Sequence, residues 1–338
     1  MCYNIIMDRP SVTYGPEGIF LPWGYVMADK IYKTHKQQLK ILRSRGMEIA
    51  KGNIGSRTMR VLERENYYSV INGYKEPFIV PNSTSETYLT GTQFGELYAV
   101  FNFDRNIRLI YLKYILKVEH QIKTVIAHEF SKLYGHDNYL KLDSFDTRNI
   151  KQVLETIGRI QNALSNQMGK SQEVTHYMST YGYVPLWVLV NILTLGEMSY
   201  FYANMKMHDK NEVARRFMVN PDELSKYIKN LTLARNLCAH DERFYDFCYR
   251  ESLATSFIPQ FRVFGIPNSQ GNYSYGTKDA FSIAVILALL LPKTDIKEFV
   301  SLMDKEFKYL DKELITISVD RIKLKMGFGV DWKKLVQI

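Results

Sequence analysis

The chain has 338 residues, 46% of them hydrophobic and 23% charged, the balance of an ordinary globular protein rather than a disordered or fibrous one. Its 44 Lys and Arg against 35 Asp and Glu leave a net charge of +9, compatible with a polyanionic partner without proving one. Three cysteines, Cys2, Cys238 and Cys248, fit neither a disulfide framework nor a zinc module, and the apolar runs Leu186 to Leu195 and Phe281 to Leu291 are too short to span a bilayer.

Met1-Cys2-Tyr3-Asn4 lacks the basic-then-apolar pattern of a leader, so a cytoplasmic, membrane-free protein is expected. Residues 1–29 carry Pro10, Gly15, Pro16, Gly18, Pro22 and Gly24 and read as a loosely ordered arm. A helix is predicted from Lys30 to Arg45, stopped by Gly46. Ten basic residues lie between Lys30 and Arg64 (Lys30, Lys33, Lys36, Lys40, Arg43, Arg45, Lys51, Arg57, Arg60, Arg64) against Glu48 and Glu63. A solvated helix face and a phosphate-backbone contact surface both account for such a run. Candidate RNA contacts are Lys30, Lys33, Lys36, Lys40, Arg43 and Arg45.

From Tyr67 to Gly95, a composition of Tyr, Val, Asn, Gly and Pro suggests turns and a short strand pair. A long helix follows from Phe94 to Leu133, with apolar residues at helical spacing. Asp146 to Met168 reads as a second helix with Val153, Ile157, Ile160 and Leu164 inward. A third is predicted to begin at Pro185, buried on most sides through Leu195. The fourth starts at Asn220-Pro221, with Glu223 placed to complete a capping box. Ala280 to Leu291 and Asp295 to Thr316 add two more. The fold class expected is all-α, divided into a basic, partly irregular region 1–90, a helical domain 91–260 and a C-terminal helical extension 261–338 packing on that core.

The fourth helix ends in Arg235-Asn236-Leu237-Cys238-Ala239-His240-Asp241. Leu224, Tyr227, Ile228, Leu231, Ala234 and Cys238 form one apolar stripe, and Arg235 falls inside it. A guanidinium there must find a partner or face a cleft, because a buried unpaired charge is very costly. Glu119 and Glu197 are candidate partners in a purely structural reading. His240 lies about 140° around a straight helix from Arg235. The helix must therefore bend or end between them, or a second chain must complete the site. Asn236, four residues before His240, shares its face and could orient it. An imidazole can move a proton at neutral pH, and a forked guanidinium can hold charge building on a phosphate.

The string from Arg235 to His240 resembles the R-N-x-x-A-H form of the HEPN ribonuclease signature, and an ordered series of weaker matches resembles the Abi-like family that carries it. Gln38, Leu42, Arg45 and Gly46 match its Q-x-x-x-L-x-x-R-G segment. Asn66-Tyr67-Tyr68, Gly73-Tyr74 and Pro77-Phe78 match what comes next. Phe103-Asp104-Arg105, Arg108 and Glu119 resemble its first long helix, and Pro185-Leu186-Trp187 with Leu195-Gly196-Glu197-Met198-Ser199 another. Leu195 stands where the family often has Phe, and Gly329 where a Pro commonly precedes the C-terminal Trp, here Trp332. The series runs from about Lys30 to Asp246, with Trp332 beyond it.

The resemblance implies a HEPN four-helix core with additions at both ends. It implies a metal-independent endoribonuclease of antiphage defence, acting on single-stranded RNA by 2′-OH attack with a cyclic-phosphate product. Arg235 and His240 would be catalytic and Asn236 supporting, in a composite site shared by a homodimer. No cofactor is implied, and a neutralising partner, an RNA or protein antitoxin, is. The rival reading is a non-catalytic HEPN module that binds RNA or a partner protein, and a weaker third is a helical scaffold. Two other motifs fail on their own residues. Gly169-Lys170-Ser171 lacks the earlier glycine of a phosphate loop, with Leu164 in its place, and His128-Glu129 meets Lys132 where a zinc protease needs its second histidine.

Overall fold

Thr34 and Gln37 start the first helix reciprocally, each side chain serving the other's backbone N–H. The computed structural model describes residues 31–83, 85–250, 252–253, 261–264, 266–267 and 273–338. The arm at 1–29, Lys30 and Cys2 lie outside them. The chain divides into two compact units, one running through Phe101 and taking in Leu314–Ile317, the other Asn102–Glu313 with Ser318–Ile338.

In the first unit, α1 (His35–Ser44) buries Leu39 and Leu42, and α2 (Asn53–Glu65) buries Val61 and Leu62. The helix expected from Lys30 thus starts at His35, because Thr34 supplies the cap. The expected strand pair reduces to one isolated bridge, Ile79 with Tyr88, amid a π turn at Tyr68–Asn72 and a 3-10 turn at Glu76–Phe78. α3 (Phe94–Tyr134) opens here. Glu96, 1% exposed, accepts from the N–H groups of Ile315 and Thr316 at 2.6 Å each, which fastens Leu314–Ile317 to this unit.

The second unit holds the rest of α3, then α4 (Ile150–Gln167), α5 (Gln172–Tyr181), α6 (Leu186–Leu189), α7 (Leu195–Asn204), α8 (Met207–Arg216) and α9 (Pro221–Ala239). After the short α10 (Phe261–Phe264), β1 (Ile266–Pro267) pairs antiparallel with β2 (Tyr273–Tyr275). α11 (Ala280–Leu290), α12 (Lys293–Glu313) and α13 (Val319–Lys325) complete the unit. The protein is all-α, with that hairpin the one sheet among the described residues. Val153, Ile157, Ile160 and Leu164 face inward from α4 as expected. α7 packs on both α4 and α9. Phe130, Phe145 and Phe201 interlock at centroid distances of 5.0–5.5 Å.

The helix expected to run on from Pro185 is broken instead. Pro185 sits at the cap position of the single turn α6, and the chain restarts at α7 under a capping box between Thr194 and Glu197. Among the described residues, five helices stand where no separate element was expected: α2, α5, α8, α10 and α13. No helix among the described residues is long and apolar enough to cross a membrane.

α11 is buried nearly all round, and Asp279 caps it by accepting from Ser282 N–H at 3.3 Å while also accepting from Gly276 N–H at 2.6 Å. Burial pushes the Asp279 carboxyl up to about 7, against the pull of those donors. Gly327, at φ +84, brings its Cα so close that a Cβ would run into this carboxylate. Gly327→Ala should therefore cost on the order of 2–4 kcal/mol, from left-handed strain and overpacking together. A urea midpoint unchanged from wild type would count against this account.

Candidate active site

α9 carries the motif to its own end. Asn220 accepts from Asp222 N–H to open the helix, and Leu224, Tyr227, Ile228, Leu231, Ala234 and Cys238 are all buried. Glu223 does not complete the expected capping box. It is buried and pairs with Lys226 at 3.1 Å.

The last helical residue is Ala239, and His240 is the cap, at φ −98 and ψ 15 with its N–H on the Asn236 carbonyl at 3.0 Å. Asp241 follows at φ 57, and Glu242 N–H returns to the Leu237 carbonyl at 3.1 Å. That is the Schellman closure, whose left-handed position usually needs glycine. Here the aspartate carboxylate is held in place, by Arg108 Nη2 at 2.6 Å and Arg105 Nη2 at 3.5 Å. α9 thus ends between Arg235 and His240.

The same stretch of α3 holds what comes next. Arg108 Nη1 donates to the Glu242 carbonyl at 2.5 Å. Asp104, with a side chain 0% exposed, accepts from Tyr245 N–H at 2.6 Å and Phe244 N–H at 3.2 Å. Phe244 then packs edge-on to Tyr111 at 4.7 Å, and the Tyr111 hydroxyl donates to the Ala280 carbonyl. Asp104, Arg105 and Arg108 are thus a clamp on the chain leaving His240. Sequence reasoning marked these three residues but gave them no such role.

Arg235 is half-buried, its Nε 3.9 Å from Glu119 Oε2, the partner foreseen in the structural reading. Glu197, the other candidate, is engaged in the α7 capping box. The Glu119 contact is longer than a hydrogen bond, and that oxygen, although buried, accepts none among the described residues. Its twin Oε1 lies 2.7 Å from Lys123 Nζ. The Arg235 side chain keeps 33% of its surface, so the pair is a loose charge contact with a face left to solvent.

Asn236 and His240 are both exposed, and the bond linking them runs through backbone rather than through the Asn236 amide. No hydrogen bond joins Arg235 to His240 among the described residues. Cys238 offers no nucleophile, since burial, with the Asp104 carboxylate adding to it, pushes its thiol up to about 12. Along α3, His120, Thr124, His128 and Lys132 line an open groove of about 610 Å³ with Trp187 and Asn191, and Trp187 is 53% exposed.

The basic candidates belong to the first unit and divide in two. Lys33, Lys36 and Lys40 are exposed. Arg43 turns back onto the Ile49 carbonyl at 2.9 Å, and Arg45 pairs with Glu86 at 2.5 Å.

Fold and site together define a class: an all-α protein whose one arginine–histidine string sits at a helix end clamped by an earlier long helix. The family model for Abi-like proteins matches residues 60–246, more than half of the chain. The chain belongs to the Abi-like family. The match ends at Asp246, where the resemblance also ended, and begins at Arg60, which leaves Gln38, Leu42, Arg45 and Gly46 outside it. No curated protein and no solved structure matches the chain.

Proposed function

We propose that the chain is a HEPN-type, metal-independent endoribonuclease of abortive-infection defence that cuts single-stranded RNA. The observation that carries this is the intact Arg235–His240 string with His240 exposed at a helix end whose exit is fixed by Arg108 and Asp104. The ribose 2′-oxygen attacks phosphorus while its proton leaves to a base. The bond to the 5′-oxygen breaks as that oxygen gains a proton, leaving a 2′,3′-cyclic phosphate and a 5′-hydroxyl. His240 suits the proton movements, and the Arg235 guanidinium suits the charge gathering on the phosphoryl oxygens. Neither step requires a bound ion.

Because about 140° of helical arc separates positions 235 and 240, a homodimer whose site takes Arg235 from one chain and His240 from the other fits best. The groove beside Trp187 gives single-stranded bases an aromatic face to stack on. The Lys33, Lys36 and Lys40 surface suits a phosphate backbone, either the substrate's or that of an inhibitory RNA antitoxin. The rival is a non-catalytic module that binds RNA or a protein partner, and one observation favours the third reading, a helical scaffold with Arg235 in a structural ion pair. Glu119 already sits at ion-pair distance from Arg235.

A cleavage assay separates the two. Labelled single-stranded RNA is incubated in EDTA with the wild-type chain and with His240→Ala, and the product ends are identified. Cyclic-phosphate and 5′-hydroxyl ends from the wild type alone are the expected result. Equal cleavage by both proteins removes His240 from the mechanism. RNA retained intact by both hands the function to the binding module.

A further inference from the structure

Within the first unit, Lys33, Gln38, Ile41, Arg45, Tyr67, Asn72, Lys75 and Glu86 surround a pocket of about 490 Å³. That volume falls within the roughly 300–1,000 Å³ usual for small-molecule sites. Its floor is a fixed ionic triad. Glu86 gives one carboxylate oxygen to Arg45 and the other to Lys75, each at 2.5 Å, and Lys75 also donates to the Asn72 side chain at 3.2 Å.

Two polar atoms, one on a lining residue and one on a neighbour of the lining, lack hydrogen-bond partners among the described residues. Gln38 spends its Nε2 on the Lys33 carbonyl, which leaves its buried Oε1 unmatched. The Tyr88 hydroxyl, on a residue 3% exposed, is likewise unmatched and lies in the electrostatic field of Tyr67, Glu86 and Arg45. Burial raises the pKa of both phenols, so each stays a hydrogen-bond donor at neutral pH. Unmatched buried polar groups are uncommon in folded proteins, and an unmatched oxygen on a residue that lines this pocket points to a ligand.

The chemistry of the walls selects among ligands. Lys33, Arg45 and Lys75 outweigh Glu86, so the pocket favours an anion, and a phosphomonoester, carrying close to two charges at pH 7, offsets the excess better than a phosphodiester does. A bare phosphate would leave Tyr67, Ile41 and the Gln38 carbonyl oxygen uncontacted. A planar ring with hydrogen-bonding edges would use all three.

We propose that this pocket is a binding site for a nucleotide bearing a terminal phosphomonoester, either a free mononucleotide or the phosphorylated end of an RNA strand. Its residues are not Arg235, Asn236 or His240, although Lys33 also belongs to the surface proposed for the RNA backbone, and its occupancy does not depend on whether the chain cuts RNA.

The test is titration calorimetry on the full chain. The probes are adenosine, guanosine, cytidine and uridine 5′-monophosphates, the four nucleosides, inorganic phosphate, and a short RNA carrying a 5′-phosphate, a 3′-phosphate or hydroxyls at both ends. The RNA arms use His240→Ala so that the probe is not consumed. Saturable binding of at least one mononucleotide is expected, weaker by about tenfold or more for its nucleoside and for inorganic phosphate. Lys33→Glu, an exposed change, and Gln38→Leu should each weaken it about tenfold while thermal melting stays near wild type. Stronger binding of one phosphorylated RNA end than of the free nucleotide identifies the strand end as the source, and the reverse identifies the free nucleotide. No binding of any mononucleotide or phosphorylated RNA, inorganic phosphate binding as tightly as the nucleotides, or affinity unchanged in both variants would each overturn the proposal.

Discussion

Asp104→Ala should destabilise the second unit by about 3–5 kcal/mol, the range found when a buried charge loses its partner. The Asp104 carboxylate accepts from the N–H groups of Phe244 and Tyr245, all of them buried, and lies 3.8 Å from Arg108, whose side chain is 3% exposed. Alanine removes both acceptors at once, and neither N–H can reach solvent without moving Phe244 out of its contact with Tyr111. Arg108 keeps Asp241 as a counter-charge, so the loss should stay below the cost of stranding a guanidinium entirely. Asp104→Asn retains one acceptor oxygen and should cost less than half as much. Urea unfolding monitored by circular dichroism reads both variants. A loss below about 1 kcal/mol for the alanine variant would mean the clamp is incidental to the fold. Cleavage should also fall in Asp104→Ala under conditions where it remains folded, because the turn that positions His240 is then no longer held.

The two kinds of residue in this site were unequally visible before the structure. α9 announced itself through Asn220-Pro221 and its apolar stripe, and every stripe residue is buried as the 3.6-residue period requires. Arg235 also stood out, because a permanent charge inside that stripe breaks the local pattern. Its neighbour Glu119 was one of two acidic candidates, yet nothing local could choose between them. The choice is made by the pairing of α3 with α9, over a separation that no helical period spans.

The clamp was hidden for another reason. A Schellman turn is usually read from glycine, and at position 241 the sequence offers aspartate. Aspartate adopts the left-handed conformation more readily than most residues, and Arg105 and Arg108 hold its carboxylate. The break after α6 was more accessible. Thr194 and Glu197 have capping-box spacing, but the almost wholly apolar run from Leu186 to Leu195 reads as one buried helix because hydrophobicity alone does not mark a turn. The basic run shows the opposite failure. Ten like residues suggest one surface, while Arg43 and Arg45 are drawn inward by carbonyls and by Glu86.

Arg235→Ala and His240→Ala, each inactive alone, should recover cleavage when the two variants are co-expressed. If each site takes its arginine from one chain and its histidine from the partner, a mixed dimer holds one site with both residues wild type and one with neither. Random pairing makes half of the dimers mixed, so about a quarter of wild-type activity should return. A site built from the arginine and histidine of a single chain gives no recovery, since every chain then lacks one of the pair. Each single variant should lose about 10³-fold or more of its cleavage rate, the scale for losing a preorganised charge at the phosphate or a positioned proton-transfer group. The fold should tolerate both changes. His240 is exposed, and Arg235 is held to Glu119 only at 3.9 Å, so its removal leaves a carboxylate that still has Lys123 at 2.7 Å. Arg235→Lys separates charge from geometry. A lysine keeps the attraction for phosphate but not the forked donor pattern, and should restore a minor part of the lost rate. Full activity in Arg235→Lys would reduce the guanidinium to a point charge. Full activity in Arg235→Ala would return it to the structural pair with Glu119 and remove it from the chemistry.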